Sequence, residues 1–184
     1  FKEVFRNIKI AQATIVFIII GAGYFIAANI LGISQAREYG MDSRGVGLLF
    51  AAGYLISALA SQAFPKLKNL LGSKNLLIVT VSILIGSFIF AKFTGVVLGS
   101  ILIISRISSS TTFRNIRSSI LNRYIDSKNR ATAISTLVLL SQLPYALVAY
   151  TIGDYIDKSS PNSFAFILGL AMVGLLIVQQ IIFK

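Results

Sequence analysis

Arg106, Ser109, Ser110, Phe113 and Arg117 recur at i, i+3, i+4, i+7 and i+11, the spacing that lays side chains along one stripe of an α-helix. They sit in SRISSSTTFRNIRS (Ser105–Ser118), a tract of arginines and small hydroxylated residues. A guanidinium stays protonated and offers a planar fork of N–H donors, so this stripe can present a permanent cation to an anionic or polar group. The hydroxyls would complete a water-accessible lining. Gly99 and Leu102 continue the stripe toward the N-terminal end of the segment. Two other readings compete for the same residues. In one, the arginine is neutralised by carbonyls or an acid elsewhere, while Ser and Thr bond to their own backbone and small residues pack helices together. In the other, the Arg/Ser-rich tract meets a nucleic-acid phosphate backbone.

Further candidates lie in other apolar stretches. In TAISTLVLLSQLPYALVAYTIG, the residues Ser135, Gln142, Tyr145 and Ala149 share a face. Pro144 in the same stretch lacks an N–H and frees a carbonyl one turn earlier, which marks a site or hinge, or simply a proline-tolerant membrane helix. Tyr24 and Asn29 interrupt the first apolar stretch. Five residues apart, they point to different faces, so one at most looks into a cavity. Asn29 serves equally well as a hydrogen-bonding link between helices. The second stretch is rich in Gly and Ala, and Gly95 and Gly99 form a GxxxG, both of which favour close helix packing.

The elements that must carry these residues follow from composition. The 184 residues are 55% hydrophobic and only 12% charged, about half the usual charged fraction of a soluble domain. Lipid suits such a chain as solvent. There is no His and no Cys, and the six acids (Glu3, Glu38, Asp42, Asp126, Asp154, Asp157) fall in loops or at segment ends. No metal site, cofactor or catalytic residue is expected, and no enzyme, because no paired acids or Ser–base pair sits at helix depth. The chain begins on Phe without an initiator Met, and we read it as a fragment or a processed piece.

Six stretches approach the roughly 20 apolar residues that cross a hydrocarbon core about 30 Å thick. They are 10–31, 46–64, 75–91, 94–113, 132–153 and 164–183. The expected fold is an all-α membrane protein, one six-transmembrane-helix bundle over residues 1–184, with both termini on one side. On that side stand twelve Lys and Arg (Lys2, Arg6 and Lys9; Lys66, Lys68 and Lys74; Arg114, Arg117, Arg123, Lys128 and Arg130; Lys184). The opposite loops hold four: Arg37, Arg44, Lys92 and Lys158. An excess of basic residues in short loops stays cytoplasmic, so both termini are expected in the cytoplasm. The net charge of +11 is then topology and lipid contact rather than a nucleic-acid footprint. Arg106 alone is left near mid-span, where an arginine costs about 2.5 to 3.5 kcal/mol on insertion scales and so faces the bundle interior or a wet cavity.

The runs YGMDSRGVGLLFAAGYLISALASQAF, LLGSKNLLI, LNRYIDSKNRATAIS and IGDYID follow one another in an order that resembles the C-terminal six-helix half of the major facilitator superfamily. The most specific piece is RATAIS (Arg130–Ser135), followed by Gly153-x-x-x-Asp157. Many bacterial members, efflux types included, share that arrangement. The family's G-x-x-x-D-x-x-G-R/K-R/K loop would fall on Pro65, Asn69, Gly72, Ser73 and Lys74; only Gly72 and Lys74 match, and the acid is missing. The resemblance implies a secondary transporter of two six-helix halves in a bacterial inner membrane, with a small-molecule substrate held between them and an N-terminal half as partner. It implies that the first, second, fourth and fifth segments line the cavity. Arg106, Ser109, Ser110, Gln142, Tyr145, Tyr24 and Asn29 are then substrate-site candidates, and Arg130, Pro144, Gly153 and Asp157 conformational ones. A coupling carboxylate would lie in the other half. The alternative is a self-contained six-helix subunit acting as a dimeric scaffold or pore.

Overall fold

The computed structural model describes residues 8–125 and 127–182, so the N-terminal lead with Lys2, Glu3 and Arg6, and Asp126, Phe183 and Lys184, lie outside the described residues. Within them the chain is helical, with no strand. Helix α1 (Ile8–Ile26) passes through a wide π-turn at Ala27–Leu31 into α2 (Gly32–Glu38). Then come α3 (Ser43–Ala91), α4 (Val96–Tyr124), α5 (Arg130–Lys158) and α6 (Pro161–Ile182). Five helices are long and apolar enough to cross a membrane, α1 and α2 counting as one. The second and third expected segments share α3.

Local chemistry sets the ends. Asp42 caps α3 by accepting from the Gly45 N–H at 2.8 Å. Ser160 does the same for α6 through the Ser163 N–H at 3.0 Å, and Pro161 opens that helix where its missing N–H costs nothing. The basic run after Phe113 is helical to Tyr124, because it carries Leu, Ile and Arg without a breaker.

The 49 residues of α3 are not one straight rod. Gly72 has φ 74° and ψ 159°, a region essentially reserved for glycine. Register shows what happens there. Residues 43–71 run parallel to α4, with the Gly53 backbone against Ile107, Ser57 Oγ 2.5 Å from Thr111 Oγ1 and Asn115 Nδ2 3.3 Å from Ser61 Oγ. Residues 73–91 run antiparallel to α4, since Tyr24 links Thr80 with Ser109 and Tyr39 links Ala91 with Thr94 and packs on Gly99. The chain therefore reverses at Gly72. Pro65 leaves the first arm helical, so the loop expected at PKLKNLLGSK contracts to this one residue.

Packing inverts the polarity of a soluble protein. Thr14, Gln35, Thr80, Arg106, Ser109, Thr112 and Arg117 are buried, while Leu70, Leu147 and Tyr150 are more than 80% exposed. An apolar exterior around a hydrogen-bonded polar interior is what a hydrocarbon solvent demands. The apolar core, with Phe17, Ile20, Leu84, Phe88, Phe113 and Leu137 at its centre, joins α1, the second arm of α3, α4 and α5. These are the features of an integral membrane protein.

Candidate functional site

A cavity of about 470 Å³ lies between α1–α2, the first arm of α3, α4 and α5. Helix α4 supplies its charged wall. Arg106, Ser110, Phe113 and Arg117 all line it, on the stripe that their spacing defines. Ile103 rather than Leu102 continues that stripe upward, buried at 2% exposure. Close approach of α1 to α5 comes from Gly21, where an added β-carbon would sit 2.6 Å from Ser141 Oγ.

Arg106 is 4% exposed and meets no carboxylate among the described residues. Its Nη2 donates to Gln35 Oε1 at 2.7 Å, and its Cζ lies 5.0 Å from the centre of the Phe88 ring. Nη1 has no hydrogen-bond partner among the described residues. Gln35 Nε2 donates onward to Asn162 Oδ1 at 3.0 Å, and the Asn162 backbone N–H donates to Glu38 Oε2 at 2.8 Å. Every link runs in the same donor direction, from the guanidinium outward to a carboxylate at the helix ends. The first two bonds run through one amide, that of Gln35, and reinforce each other. At Asn162 the chain passes from side chain to a separate backbone amide, so the last bond is positional. The chain also ties α4 to α2 and α6.

Neighbouring polar groups are largely occupied. Tyr24 Oη shares its proton between Ser109 Oγ at 2.9 Å and the Thr80 carbonyl at 3.0 Å. Ser109 and Ser110 donate to the carbonyls of Arg106 and Ile107, at 3.1 and 2.8 Å. The back-bonding half of the competing reading is therefore present, and Arg106 is the group left over. Arg117, 8% exposed, stacks 5.7 Å from the Phe113 ring, and its Nε has no partner.

The remaining candidates divide. Tyr24 and Gln142 line the cavity. Tyr145 stands behind it, edge-on to the lining residue Phe25 with ring centres 5.1 Å apart. Ser109 turns toward a second, more apolar cavity between α3 and α4. Asn29 is exposed in the π-turn, where its Nδ2 donates to the Phe25 carbonyl at 2.8 Å, and it does not line the cavity. On α5, Ser135 is exposed, and Ser141 is the buried hydroxyl in the wall. Arg130 Nη2 donates to the carbonyls of Asn122 and Ile125 at 3.2 and 3.5 Å, joining the start of α5 to the end of α4. Pro144 is half-buried within an unbroken α5. Gly153 and Asp157 lie near the far end of α5, away from the cavity, beside the exposed Lys158–Asp154 ion pair at 2.7 Å.

Gln35, Asn162 and Ser141 are site residues that spacing did not single out. Gln35 and Asn162 stand in stretches read as loops, SQAREYG and SSPNS, which are helix ends here. Comparison with protein-family models gives no match for this chain, and comparison with curated proteins gives no significant relative.

Proposed function

We propose that the chain is a six-span half of a secondary transporter of the major facilitator type, which moves a small solute by alternating access. The observation that carries the reading is the cavity with its buried, carboxylate-free arginine, bounded by the four helical arms that family position would assign to a substrate path. The reversal at Gly72 supports six crossings: each arm of α3 is then a span, and successive spans alternate in direction. The excess of basic residues supports an orientation with the Gly72 and Ser127 turns in the cytoplasm of a bacterial cell. In this reading Arg106 orients the solute, Tyr24 and Gln142 complete the wall, and the half rocks against its partner half around the site.

The test is access from both sides. This chain has no cysteine, so Ser110→Cys is the one thiol that it brings to the cavity. A membrane-impermeant maleimide should label it from the cytoplasmic face and, in a separate population, from the outer face. Labelling from one face only, or a steady ion conductance in planar bilayers, would overturn alternating access; the conductance would favour the pore.

A further inference from the structure

We infer that the cavity selects an amphiphilic organic anion: one carboxylate, phosphate or sulfonate group on an apolar, ring-bearing body. This rests on the cavity being a solute site. Among the described residues, three arginines line it (Arg106, Arg114 and Arg117), and no acidic side chain does. Two of the three are buried, Arg106 with an unpartnered Nη1 and Arg117 with an unpartnered Nε. The partner that Arg106 has, Gln35, is a neutral amide that orients the fork and leaves its charge uncompensated. A charge withdrawn from water without a counter-ion is unfavourable, and an anion entering beside it relieves that deficit. The rest of the wall is of another kind. Phe25, Phe50, Tyr54, Ile107, Phe113 and Val138 supply aromatic and aliphatic surface. A bare inorganic anion would leave that surface wetted, whereas a ring-bearing body would cover it.

The two buried arginines have different parts. Eleven positions on α4 separate them by about 16 Å at 1.5 Å per residue, too far for one small anionic group to bridge. Arg106 therefore anchors the charged head in the depth of the bundle. Arg117 and the exposed Arg114 lie nearer the Gly72 end, where they draw anions inward and favour no particular body.

Charge-selective modification of Ser110→Cys tests this on the full chain in proteoliposomes. Rates with an anionic and a cationic methanethiosulfonate are each divided by the rate with free glutathione. The anionic reagent should be favoured about tenfold or more, the scale on which a single-sign cleft concentrates counter-ions. Arg106→Gln should lower that ratio several-fold and Arg106→Lys should keep most of it. A ratio of one or less overturns the inference, and so does a ratio indifferent to Arg106→Gln. The second measurement needs no arginine variant: naphthalene-2-sulfonate should protect Ser110→Cys from a small neutral maleimide, while naphthyl-trimethylammonium and sulfate should not. Protection by the ammonium compound, or equal protection by sulfate, overturns the amphiphilic-anion assignment. Anion preference with access from one face only would sink alternating access and leave this site standing. Access from both faces without anion preference would do the reverse.

Discussion

Arg106 is held by Gln35: a 2.7 Å hydrogen bond from guanidinium to amide fixes a buried cation with a neutral partner. Gln35→Leu strands Nη2 with no acceptor, at a cost of about 1–3 kcal/mol for an unmade buried hydrogen bond. Its thermal midpoint in detergent should fall. Gln35→Glu places a carboxylate in the same spot. It should fold, and it should erase the anionic preference at Ser110→Cys because the countercharge is then built in. Retention of that preference by a folded Gln35→Glu would dissociate Arg106 from selectivity.

Gly72 is exposed, and an added β-carbon would meet nothing within 4 Å, so any penalty there comes from the backbone alone. Gly72→Ala should cost about 1–3 kcal/mol, the usual scale for a non-glycine residue in a glycine-only region. Ser73→Ala next to it should be nearly silent. Equal thermal midpoints for the two variants would remove the reversal at this position.

At the α1–α5 contact, Gly21→Ala should destabilise because the new methyl meets Ser141 Oγ at 2.6 Å. Ser141→Gly opens the space that the methyl needs. The double variant should recover much of the loss, with a coupling in the range of about 0.5–3 kcal/mol for residues in contact. Additive losses in a thermal double-mutant cycle would contradict the packing.

Ser127 and Ser159 flank the two ends of α5. As single cysteines they should react with an impermeant maleimide from opposite faces, Ser127→Cys from the cytoplasm and Ser159→Cys from outside in intact cells. The reverse pattern would invert the orientation drawn from basic residues.

Much of α4 was legible because its stripe has the 3.6-residue period that amphipathic helices must have, and Arg106 could be placed inward because a cation in hydrocarbon is costly. Helix termini were harder. Polar residues near the ends of apolar runs look like loop, which hides Gln35, the group that orients Arg106, and Asn162, which holds Gln35. Gly72 stood inside a Lys- and Pro-containing run that reads as a long connection, yet only its own dihedral angles interrupt the helix. Tyr24 and Asn29, five positions apart, already read as facing different ways. Of the two it is Tyr24 that lines the cavity, while Asn29, in the π-turn, is exposed and bonds back to the Phe25 carbonyl.

That π-turn has an effect further along the chain. The Gly32 N–H reaches back to the Ala27 carbonyl, five residues away rather than four, so the helix accommodates one surplus residue. Taking it up in one wide turn leaves everything beyond about 100° behind the phase a uniform α-helix would give it. Upstream, Gly21 turns to Ser141 of α5 and Gly23, two positions on and on the opposite side, to Met172 of α6; downstream, Gln35 is delivered to α4. The aim of the cation is thus set by a swivel in a different helix, and a rod of uniform pitch would swing its amide handle away.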